Sequence, residues 1–74
     1  MIDDPVRLRS EILRHTGNRF QKVAMIIGRV LLSPGIEVTN DRAIADIVVD
    51  MVAKGELIAV GDPHDMRFSE VKLP

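Results

Sequence analysis

The amino-acid sequence predicts a mainly α domain with a small β-hairpin, in which three helices and a two-stranded ribbon share one core. Apolar residues recur at three- and four-residue intervals in three separate segments, the period of a helix with one buried side. Start and stop residues flank these segments. After Lys54-Gly55 the pattern changes to a short β-favouring run, a polar turn and a second apolar run.

The first helix is expected over DDPVRLRSEILRHTG. Asp4 can cap it, and Pro5 suits the first helical position, where its missing N–H costs nothing. Val6, Ile12 and Leu13 are expected to form its apolar side, with Leu8 beside them, and Gly17 to stop it. Arg7 and Glu11 are spaced to pair weakly on the outside. Asn18 to Gln21 resembles a polar capping pattern, so the second helix is expected to start there. Phe20, Val23, Ala24, Ile27, Val30 and Leu31 keep helical spacing, and Met25, Ile26 and Leu32 widen the stripe. Such an apolar helix is either central to the core or covered in part by another molecule. Pro34-Gly35 ends it.

Ile36-Glu37-Val38 alternates as a very short strand would. Thr39, Asn40 or Asp41 can cap the third helix, whose expected buried side is Ala43, Ile44, Ile47, Val48, Met51 and Val52. Lys54-Gly55 is a good ending: a cation at the negative end, then a residue tolerant of a left-handed turn. Leu57–Val60 then forms one strand, GDPHD the connection, and Met66–Leu73 the return strand. The return strand loses phase between Phe68 and Val71, which predicts a bulge near Ser69-Glu70. Leu57, Ile58, Val60, Met66 and Phe68 are expected in the interior.

The chain has 74 residues, no Cys, 46% hydrophobic and 28% charged residues. That fits one folded domain, residues 1–74, without disulfides or thiolate metal sites. The longest apolar run, VAMIIG, is far short of a membrane span. MIDDPVRLR has no apolar signal core, so a cytoplasmic setting is expected, with no membrane partner. Net charge is −1 but unevenly placed: residues 1–34 hold six Lys/Arg against three Asp/Glu, and residues 35–74 hold four against eight.

Three helices followed by a hairpin is the order of a winged helix-turn-helix. DIVVDMVAKGELIAVGD resembles the end of a recognition helix entering a wing. The closing GDPHDMRFSEVKLP is also similar to an uncharacterised bacterial domain family. Its members carry a Leu-Val-x-x-Gly type helix exit and a terminal Arg-x-x-Glu-Val strand, here MVAKGELI and MRFSEVKL. The likeness covers most of the chain after Asn18. The first resemblance implies a three-helix winged-helix-like fold and possible DNA binding; the second implies no assigned activity.

In a winged helix-turn-helix the third helix enters the major groove. Asn40 and Arg42 could read base edges there, with His64 and Arg67 on the hairpin. Asp46 and Asp50 would face the phosphates, where affinity needs cations, so DNA is disfavoured. A basic patch of Arg7, Arg14, Arg19, Lys22 and Arg29 could hold phosphates or an acidic protein. Phe20 and Phe68 fit core positions better than base-stacking platforms.

Asp62, His64 and Asp65 crowd one loop, but ligands so close along a turn seldom converge, and no metal site or cofactor is expected. His15 beside Arg14 suits the end of its helix. Ser10, Ser33 and Ser69 lack a nearby base in sequence, and no phosphate-cradling glycine loop exists. A core this small leaves little room for a substrate pocket. The expectation is therefore a non-catalytic interaction module without a small-molecule substrate. It pairs with another protein or forms a homodimer through Met25, Ile26, Gly28 and Leu32; Gly28 would permit close helix approach. The alternative is a winged-helix DNA-binding protein or transcriptional regulator.

Overall fold

The computed structural model describes residues 4–36 and 40–74. The chain runs α1 (Pro5–His15), β1 (Gln21–Lys22), α2 (Val23–Leu31), α3 (Asp41–Ala53), β2 (Ile58–Val60) and β3 (Glu70–Lys72). The strands form one antiparallel sheet in the order β1-β3-β2. The fold is mainly α with a small β-sheet, and its element order is consistent with a winged-helix-like arrangement.

α1 starts as its residues dictate: the Val6 amide donates to Asp4 Oδ1 at 2.9 Å, and Pro5 leads the helix. Its buried side is Leu8 and Ile12 alone. Val6, 68% exposed, and Leu13 point away. At 3.6 residues per turn they lie about 160° and about 140° around the helix from Leu8, so they cannot share its face. The helix ends at Thr16 in extended backbone, with Thr16 Oγ1 donating to the Ile12 carbonyl at 2.6 Å. Gly17, the expected stop, follows this cap without a positive φ.

The expected cap at Asn18–Gln21 is replaced by β1. Gln21 pairs with Val71 and Lys22 with Glu70, so the sheet has three strands instead of two. α2 therefore begins at Val23 and has no side-chain cap. Its first two amides donate to backbone carbonyls from the far end of the chain, Val23 to Ser69 at 3.1 Å and Ala24 to Met66 at 2.9 Å. These bonds satisfy donors that a helix start leaves unpaired. α2 buries Val23, Ile26, Ile27 and Val30. Glu37, Val38 and Thr39, part of the expected strand and cap, lie outside the described residues.

Asn40 caps α3, accepting the Arg42 amide at 2.8 Å. Ile44, Ala45, Val48 and Met51 are buried, with Ala43, Ile47 and Val52 packed against them. The helix closes in a Schellman turn: Glu56 N–H to Met51 C=O at 2.9 Å and Gly55 N–H to Val52 C=O at 3.1 Å. Gly55 sits at φ +77°, where a Cβ is strained.

The hairpin departs most from expectation. Residues 62–69 fold into consecutive turns, with Asp65 N–H on the Asp62 carbonyl at 2.9 Å and Phe68 N–H on Asp65 at 3.2 Å. Turns, not a bulged strand, explain the loss of phase. Phe68 is accordingly 79% exposed and not in the core. Ala59 pairs with Val71 on the inner face, which turns Ile58 and Val60 outward by the two-residue period of a strand. Leu57 and Val71 complete the core, with Met66 packed against its edge.

Candidate interaction surfaces

α2 turns three sides to its surroundings. Opposite the core it exposes Met25, Arg29 and Leu32, preceded by Lys22 on β1, a three-four-three spacing that keeps them on one stripe. Met25 is 47% exposed and Leu32 86%. Arg29 lies along the stripe, donating to Gln21 Oε1 at 2.8 Å and reaching Met25 Sδ at 3.2 Å. Of the predicted contact residues, Ile26 is fully buried in the chain's own core and cannot serve. Gly28 faces neither core nor stripe, and a Cβ built on it meets nothing within 4 Å.

Gly28 instead opens on a groove of about 680 Å³ between α2, the first residue of α3 and the hairpin loop. Ala24, Ile27, Gly28 and Leu31 form its α2 side, and Asp41, Asp62, His64, Asp65, Met66 and Arg67 the opposite side. Asp62 Oδ1 accepts from the His64 amide at 3.0 Å and lies 2.8 Å from His64 Nδ1. The amide first, then the imidazole, hold the Asp62 carboxyl below the usual carboxylate range, so it is ionised near neutral pH. No group of three or more ligands that could hold a metal ion occurs among the described residues.

Of the four residues proposed to read nucleic acid, His64 and Arg67 line the groove, and Asn40 and Arg42 are the sequence neighbours of its Asp41. Asn40 spends its side-chain oxygen on the α3 cap. Arg42 pairs with Asp46 at 3.5 Å, His64 with Asp62, and neighbouring Lys54 with Asp50 at 2.9 Å. Arg67 lines the groove beside three carboxylates. The Arg42–Asp46 pair is largely exposed, as an i,i+4 pair on the outside of α3.

The five basic residues turn to different neighbours. Arg7 occupies the space that a Cβ at Gly35 would take. Arg14 pairs with Glu11 at 3.6 Å, and Arg29 with Gln21. Arg19 and Lys22 stand exposed at β1, near Phe20, whose ring carries Lys72 Nζ at 5.6 Å from its centroid.

Three-dimensional contact supplies what the spacing could not show. His15 Nε2 lies 2.9 Å from Ser33 Oγ, linking α1 to the residues after α2. Ser33 Oγ in turn donates to the Arg29 carbonyl at 3.1 Å, and Glu11 lies 3.7 Å from the same His15 nitrogen. A relay that activates a serine needs the carboxylate on the other ring nitrogen and the serine proton on histidine. Here Glu11 lies on the same ring nitrogen as the serine, and the cluster joins α1 to the residues after α2. No helix among the described residues is long and apolar enough to cross a membrane. Comparison with protein-family models, with curated proteins and with solved structures finds no match.

Proposed function

We propose that the protein is a non-catalytic interaction module that self-associates through the exposed side of α2. The observation that carries this reading is the stripe Lys22, Met25, Arg29, Leu32. Two apolar side chains stand largely in water on the helix that also holds the centre of the core. Small domains commonly gain stability from a second copy, and a one-to-one alternation of charged and apolar positions suits a helix seam. The arrangement of His15, Ser33 and Glu11 supports a non-catalytic reading. The lack of cysteine fits a cytoplasmic setting. Light scattering at micromolar concentration should give twice 8.2 kDa. Met25→Glu with Leu32→Glu should give a folded monomer whose melt no longer rises with protein concentration; a wild-type monomer at every concentration sinks the reading.

The order helix, strand, two helices and hairpin favours a second reading, a winged-helix DNA-binding protein or transcriptional regulator. The paired Arg42 and the carboxylates of the groove weigh against it. Anisotropy with a mixed duplex at low salt tests it: binding that falls steeply with salt and with Arg42→Ala would favour this reading over the first.

A further inference from the structure

We propose that the groove beside α2 seats the cationic stripe of a second copy, in a parallel twofold dimer. The inference rests on the self-association proposed above and specifies its geometry. Both halves of the contact lie along α2. Lys22, Met25, Arg29 and Leu32 form an apolar ridge with two cations. On the adjoining flank, Ala24, Gly28 and Leu31 floor a trough whose far rim carries Asp41, Asp62 and Asp65 against Arg67. Gly28 sits between ridge and trough with open space before it, so a second helix can approach most closely there.

Charge selects the orientation. Two such helices packed antiparallel bring equivalent flanks together, cations against cations and carboxylates against carboxylates. Packed parallel, each cationic flank meets the other copy's acidic rim, twice, in a closed assembly. The ends also correspond. The Met66 carbonyl fixes the loop of Asp62 and Asp65 at the start of α2, near the level of Lys22. Asp41 opens α3 after the chain has left the other end of α2, and it shares the groove with Leu31, near the level of Arg29. The Gln21 contact of Arg29 is exposed and can be exchanged for a carboxylate.

Sedimentation equilibrium on the full chain tests the geometry. The dimer should weaken about tenfold between low and high salt, as charge-steered contacts do. Arg29→Glu and Asp41→Arg should each weaken it by about tenfold or more, and the double reversal should restore it. Circular dichroism melts confirm that each variant folds. A dimer indifferent to both reversals overturns this geometry and leaves self-association standing. A wild-type monomer removes both.

Discussion

Arg9 on α1 forms an ion pair with Glu56, the residue that follows the left-handed turn at the end of α3. It ties the first helix to the entry of the hairpin. Both side chains are about one-third exposed, and Arg9 Nε and Glu56 Oε1 are buried beside the bond with no partner. Removing one member strands the other in a partly dry site. Arg9→Ala should cost about 1–2 kcal/mol by urea unfolding, between the values for exposed and buried pairs. Arg9→Met with Glu56→Leu should recover most of the loss. A double variant as weak as the single would mean that the charges contribute more than their desolvation costs.

Two glycines should respond in opposite directions. Gly28 is helical with room for a methyl group, so Gly28→Ala should raise stability by about 0.5–1 kcal/mol. Gly55 holds the positive φ that lets α3 end, and Gly55→Ala should cost about 1 kcal/mol. Thermal melts at a concentration where the protein is monomeric give both values. A loss at Gly28 would show that its space is already filled.

Two large side chains near opposite extremes of exposure give a sharper contrast. Met51 is fully buried between the helices, and Met51→Ala should cost about 2–5 kcal/mol. Phe68→Ser should change stability by no more than about 0.5 kcal/mol, since the ring is already in water. Equal losses from the two substitutions would put Phe68 back in the core.

Asp62 sets a pH dependence of known sign. Its folded-state pKa is lowered from 3.8, so its contribution to stability is fully present above the unfolded value. The contribution is lost as pH falls through the folded value, below the ordinary carboxylate range. Carboxyl-carbon NMR should place the midpoint under 3.8. His64→Ala should retain the larger part of the shift, because the His64 backbone amide is its first cause. A return to the ordinary value in that variant would assign the shift to the ring instead.

Features set by neighbours in sequence were legible. Asp4-Pro5, Asn40 and Lys54-Gly55 each act within one helical turn, and each does what its chemistry implies. Features set across the chain were not. β1 is two residues long, and only Glu70 and Val71 make it a strand. Phe68 was assigned to the interior because alternation presumes extended backbone, whereas the turns at Asp62 and Asp65 rotate it outward. Val6 and Leu13 are apolar at a plausible spacing but on the wrong side of α1. At the candidate surfaces, the outward placement of Asp46 and Asp50 on α3 was visible in sequence. The groove was not, because α2, Asp41 and the hairpin loop meet only in the fold.

The opening amides of α2 lean on Met66 and Ser69, which lie beyond α3 in sequence. On a ribosome, the segment emerging mid-chain would have its periodicity but no acceptors for those donors. It would stay frayed at that end until the final strand left the exit tunnel. The first turn of α2 would then wait for the hairpin, and chains stalled before residue 66 would present an unfinished helix to the cell's quality control.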